Sequence, residues 1–268
     1  MSINIYPSSS ASNPSQVTPN NESIYALPPY MQVSRGLVSG ASLVNIYGYQ
    51  GALPSSGGAT FYPVWENATA YAYPGSAITM YLWSSSGSDT AVQVLVSGLD
   101  VSYNLQSETV TLNGTTHVAT TNTYLRINGL SITGTVNAVG TINIGPSSTT
   151  TTVQYAEITA GFGKSQMMIY TVPNGYTFYL TRSNAYSSLN GNTAGNYGYY
   201  RVYTQTSTGL IQILLQAPFT GTYETLRVAP RAYPQKTDIQ WQVAGNPASG
   251  TFQVGIGVEG ILISNSAS

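Results

Sequence analysis

The sequence holds no cysteine and one histidine, and Asp, Glu, Lys and Arg together make only 6% of its 268 residues. Soluble domains average about 25% charged residues. Each shortage removes a class of function. Without thiols there is no disulfide framework and no zinc site built on cysteine. Eight Lys and Arg stand against nine Asp and Glu, so there is no basic field and nucleic acid is not expected as a partner. The same balance excludes an acidic or basic disordered tail. With one histidine, any Ser-His-Asp arrangement rests on His117 alone. No apolar run approaches the ~18 residues of a membrane-spanning helix, and a membrane is not expected as a partner either. Even Leu210–Leu215 is interrupted by Gln212.

Polar uncharged residues take the place of charge. Tyrosine occurs 22 times against 5 Phe and 3 Trp, a bias toward the ring that carries a hydrogen-bonding tip and works where one end is dry and the other wet. Near-neutral proteins disperse poorly as free monomers. Two readings stay open: faces largely covered by neighbouring chains, or a stable β-domain with a polar uncharged surface. The segment Met1-Ser-Ile-Asn-Ile-Tyr-Pro7 has neither a basic start nor an apolar stretch, so it does not read as a secretory signal. The sequons at Asn21, Asn67 and Asn113 then carry no meaning. These features fit a protein made in the cytoplasm and released as part of a particle.

Residues 1–36 are rich in Ser, Pro and Asn, with Pro7, Pro14, Pro19, Pro28 and Pro29 breaking any periodicity. They read as an extended arm with no core of its own. Its apolar residues Ile24, Tyr25, Leu27, Tyr30 and Met31 are the candidate interface residues, able to lie along a partner surface. From Leu37 onward the period is two, as at Ile78/Met80/Leu82, Val92/Val94/Val96, Leu125/Ile127, Ile142/Ile144, Tyr176/Phe178/Leu180 and Ile239/Trp241/Val243. Alternation bounded by Gly, Pro, Asn and Ser is the mark of half-buried strands. The fold expected is all-β: two β-sandwich, jelly-roll-like domains behind the arm.

The clearest break is Gly145-Pro146 and the Ser/Thr run after it, composed as a linker tends to be. This places domain 1 at residues 37–145, a linker at 146–152 and domain 2 at 153–268. Charge divides there too, with an acidic excess before residue 150 and a mild basic excess after it, which would favour head-to-tail docking of copies. Thr79-Met-Tyr-Leu82 is echoed by Thr177-Phe-Tyr-Leu180, as duplicated sandwiches would show. Around Asn113-Gly114, a three-residue loop pairs Val110 with Val118 and puts both valines on one face. His117 then faces outward as a strand histidine.

The search for chemistry yields little. Gly161-Phe-Gly-Lys-Ser165 ends like a phosphate loop, but Ile158 stands where the first glycine belongs and no helix follows, so it reads as a turn. Glycoside hydrolysis needs a flanking carboxylate pair; Glu66 beside Trp65 and Asp238 before Trp241 are the least implausible candidates. Glu108 and Asp100 read better as edge charges. Asp89 and Asp100 lie outside any calcium-loop pattern. No catalytic residue, no metal ligand and no cofactor is expected, and the chain does not read as an enzyme. Tyr and Trp rings also stack on sugars, which keeps a carbohydrate-binding role open.

Val44-Asn-Ile-Tyr-Gly-Tyr-Gln50, Gly98 through Thr116 and Thr121 through Asn128 together resemble a family of structural virion proteins of tailed bacteriophages, of the marine and cyanobacterial type. Ala160 through Gln166, Ile169 through Arg182 and Pro234 through Gln240 are similar too, so the likeness spans roughly residues 35–265. The resemblance implies a virion component, most simply a capsid decoration or cement protein. Its partners would be copies of itself in a symmetric oligomer, a trimer being one such arrangement, and the major capsid or tail proteins. The alternative is a tail or fibre component that binds a receptor or glycan.

Overall fold

The computed structural model describes residues 28–67, 69–189, 197–246 and 250–266. One helix, α1 (Pro29–Ser34), precedes strands β1 (Ala41–Pro54), β2 (Tyr62–Pro63), β3 (Ile78–Ser84), β4 (Gln93–Leu99) and β5 (Leu105–Thr111). β6 (Val118–Tyr124), β7 (Arg126–Thr133), β8 (Ile142–Gly145), β9 (Ala156–Ile158) and β10 (Ile169–Thr171) follow. The chain closes with β11 (Tyr176–Leu189), β12 (Gly198–Thr206), β13 (Ile211–Phe219), β14 (Thr222–Tyr233), β15 (Thr237–Gly245) and β16 (Thr251–Ser264). The fold is all-β, as the alternation required.

Strand pairing sorts these elements into two sandwiches. In the first, a sheet of order β1-β16-β11-β14 faces one of order β10-β15-β12-β13, with β2 added against β15. Phe178, Leu180, Val254, Ile256 and Val258 meet Tyr200, Val202, Ile239, Trp241 and Val243 in its core. In the second, sheets β6-β3-β8-β9 and β5-β4-β7 enclose Met80, Leu82, Ile142 and Ile144 against Val94, Val96, Val110 and Leu130.

The domain boundaries therefore differ from the expected 37–145 and 153–268. β1 pairs with β16 along nearly its whole length, from Ala41 opposite Ile263 to Pro54 opposite Thr251. The second sandwich is an insertion, running from about Trp65 to Met167, between the first and second strands of the first. Residues 146–152 are not a linker. They join β8 to β9, which pair antiparallel in one sheet, and Ser147 Oγ accepts the N–H groups of Thr149 and Thr150 to close the turn. A hairpin loop and a linker share one composition, and only the long-range partner of each strand separates them.

Two further expectations change. Asn113 bridges Thr116 across a two-residue turn, after which β5 pairs with β4 and β6 with β3, in different sheets. The turn is held by the preceding loop: Ser84 N–H donates to Gly114 O at 2.9 Å and Gly114 N–H to Asp89 O at 3.0 Å. Gly114 (φ +60°) lies so close that a Cβ there would meet Gly87 O at 2.8 Å. His117 is not a free strand residue. Its ring stacks on Trp83 at 4.3 Å between centroids, and Nδ1 lies 2.8 Å from Ser147 O.

Of the arm's candidate residues, Ile24, Tyr25 and Leu27 lie outside the described residues. Tyr30 and Met31 are not extended but sit in α1, both exposed. Pro29 at the first helical position pre-sets φ, Met31 N–H donates to Pro28 O, and Gly36 in the left-handed region (φ +70°) follows the helix end. Tyr30 borders an apolar groove of about 690 Å³ on the outer face of β1, β16, β11 and β14, with Leu43, Leu226 and Ile261.

Candidate functional site

The insertion is tied to the first sandwich where the chain crosses between them. Val64 N–H donates to Trp241 O, Met168 N–H to Val64 O and Trp241 N–H to Met168 O. The Asn128 amide exchanges two 3.0 Å hydrogen bonds with the Thr171 backbone, so a side chain extends a strand-like pairing from β7 to β10.

The strongest tie is a buried ion pair. Arg126 opens β7 and Asp238 lies on β15; Nε and Nη2 donate to Oδ1 and Oδ2 at 2.8 and 2.9 Å. The side chains are 10% and 5% exposed. Nη1 donates to Pro74 O and Leu125 O, and Thr171 Oγ donates to Asp238 Oδ1 at 2.6 Å. The guanidinium carbon lies 4.6 Å from the Tyr73 ring centroid and 5.5 Å from that of Tyr103. Removal from water on this scale is tolerable only because almost every donor of the fork is met.

Around this pair opens a crevice of about 560 Å³, walled by both sandwiches. β12 and β15 present one wall, because their register sets Arg201, Tyr203 and Gln205 opposite Gln242, Gln240 and Asp238. The segment before β3 and the turn after β4 bring Tyr71, Tyr73 and Tyr103 to the other. Gln242 donates to Gln240 Oε1 at 2.6 Å and accepts from Arg201 Nε at 2.7 Å. The Arg201 guanidinium lies 3.9 Å over Phe61 and holds the wall in place. Tyr71 donates to Tyr155 O, and the buried Tyr73 hydroxyl lies against the Gln240 amide. Burial pushes both phenols well up from their ordinary range, so they remain neutral hydroxyls.

The carboxylates considered for catalysis are not brought together. Asp238 is committed to Arg126, and Glu66 does not border the crevice. Glu66 is half-buried; Oε1 accepts the Gln166 N–H and Oε2 has no partner. Desolvation, opposed by the Gln166 bond and helped by nearby Glu157, pushes its carboxyl up to about 8. Asp89 is buried against its charge, yet hydrogen bonds from Ser84 Oγ and from the N–H groups of Val139 and Gly140 hold it below the usual carboxylate range. Asp100 closes its own turn through Ser102 and Asn104. Both aspartates serve as loop pins. Gly161–Ser165 is a turn, with Ser165 N–H donating to Leu130 O.

The sequence brings up Asp238 only as a carboxylate set aside for catalysis and gives no notice of Arg126, Tyr73, Tyr103 or Gln240. One signal was present: the positions that alternate with Ile239, Trp241 and Val243 are Asp238, Gln240 and Gln242, larger and with more hydrogen-bonding groups than Ser or Thr.

No family model matches the chain, and no curated protein matches it. Among solved structures it is similar to the PBSX exported protein XepA, at 11% identity, covering 82% of this chain and 86% of that one with a TM-score of 0.17. It is also similar to VP2 of infectious bursal disease virus from T=1 particles, at 9% identity, covering 90% and 76% with a TM-score of 0.21. Superpositions of that extent fall short of a common fold.

Proposed function

We propose that the chain is a non-enzymatic structural component of a virion, of the tailed-phage type its segments resemble, most simply a capsid decoration or cement protein that assembles as a symmetric oligomer. The observation that carries this reading is the open side of the first sandwich. There β14 ends its sheet, and Leu226 and Val228 stand exposed, Leu226 at 74% and Val228 fully, with Leu226 beside the groove that Leu43 and Ile261 line. β14 bulges away from β11 between Leu226 and Arg231, and Pro218 and Pro230 remove ladder donors. The edge is thus protected against strand addition, while its side chains still offer an apolar contact. On a surface with few charges, such a contact fits a lateral interface between copies.

Strand order supports the same reading. Numbered one to eight in chain order, β1 and β10 to β16 form sheets 1-8-3-6 and 2-7-4-5, the order of a jelly roll, an architecture used by viral shell proteins and by lectins. Fold analogy alone does not assign function. The test is complementation of particles with the Leu226→Lys/Val228→Lys chain, read by protein mass spectrometry of purified particles. The unaltered chain is expected in many copies and the variant in few. Absence of the unaltered chain from particles overturns the reading.

A further inference from the structure

We propose that the crevice between the sandwiches binds an uncharged saccharide. Its volume of about 560 Å³ falls within the roughly 300–1,000 Å³ usual for small-ligand sites, and its lining selects the chemistry. Four tyrosine rings, from Tyr71, Tyr73, Tyr103 and Tyr203, offer faces and edges to the apolar C–H surface of a sugar. Gln205 brings a half-exposed planar amide suited to vicinal hydroxyls, while Gln240, bonded through Oε1 to Gln242, stiffens the wall.

Charge narrows the class further. The charged residues bordering the crevice, Arg126 and Asp238, neutralise each other through both carboxylate oxygens. A cationic ligand would meet no free carboxylate on that lining, and a phosphate or acidic sugar only the Arg201 and Lys236 side chains that lie over the Phe61 and Tyr103 rings. A wholly apolar ligand would strip water from the amides without replacing it. This inference goes beyond the shell role and rests on other residues than Leu226 and Val228 of β14.

The experiment is saturation-transfer NMR on the full chain with neutral gluco-, galacto-, manno- and N-acetylglucosamine oligosaccharides, alongside sialylated and sulfated glycans. Tyr203→Ala and Gln205→Ala remove half-exposed side chains, and far-UV circular dichroism verifies that each variant is folded. Tyr186→Ala, on the other sheet, is the control. At least one neutral sugar is expected to bind, with affinity reduced tenfold or more by either crevice variant and unchanged by the control. Silence toward every neutral sugar at millimolar concentration overturns the proposal. So does binding confined to acidic glycans, or affinity that survives both variants. Particle incorporation is not read in this assay, so the two proposals fail separately.

Discussion

Replacing Asp238 with alanine leaves the Arg126 guanidinium buried without its counter-charge. The pair sits at 10% and 5% side-chain exposure with contacts of 2.8 and 2.9 Å, so the cost is that of breaking a buried ion pair, about 3–5 kcal/mol, and not the about 0–1 kcal/mol of a surface pair. Thr171 Oγ also loses its acceptor. The paired change Arg126→Met/Asp238→Leu removes both charges. It is expected to recover most of the loss, short of the bonds that Pro74 O and Leu125 O no longer accept and that Thr171 Oγ no longer donates, at about 1 kcal/mol each. Urea unfolding reads all three, because urea does not screen charge. Trp65 reports the inserted sandwich and Trp241 the first, so the single variant should also separate two fluorescence transitions that coincide in the parent. A loss below about 1 kcal/mol for Asp238→Ala, or a double variant weaker than the single one, refutes the reasoning.

Other perturbations follow from named contacts. Glu66 has its folded carboxyl raised to about 8 from 4.5, so its contribution is full below pH 4.5 and is lost as pH rises toward 8, by at most about 1.4 kcal/mol per pH unit. Glu66→Gln should flatten that slope and gain on the parent as pH rises from 5 to 8 in urea melts; parallel pH profiles would contradict this. Asp89→Ala strands Ser84 Oγ and two N–H donors and is expected to cost about 2–4 kcal/mol, measured by the shift in urea midpoint. Gly98→Ala puts a Cβ within 2.2 Å of Arg126 O and 2.8 Å of the Tyr124 ring. Backbone does not yield cheaply, so a lower thermal midpoint is expected, and an unchanged one would contradict the packing there.

What could be read locally was read. Val92, Val94 and Val96, Ile142 and Ile144, and Ile239, Trp241 and Val243 are all buried, because a period of two needs only the strand itself. The echo between Thr79–Leu82 and Thr177–Leu180 marks equivalent geometry: Met80 and Leu82 in one sandwich, Phe178 and Leu180 in the other, point inward. What failed depended on partners distant in sequence. Nothing in Ala41–Pro54 announces Thr251–Ser264 as its neighbour, so the insertion was cut at a hairpin loop. The stack of His117 on Trp83 and the pairing of Arg126 with Asp238 follow from the same long-range closure. On β15 the apolar half of the alternation was legible; the polar half became meaningful only once a second sandwich covered it.

The central claim is that copies of this chain cover the exposed apolar edge at β14. Native mass spectrometry of the purified full chain at micromolar concentration tests it most directly. A closed homo-oligomer that falls to single chains with Leu226→Lys/Val228→Lys is the result expected, and a monomer that stays monomeric at high concentration contradicts it.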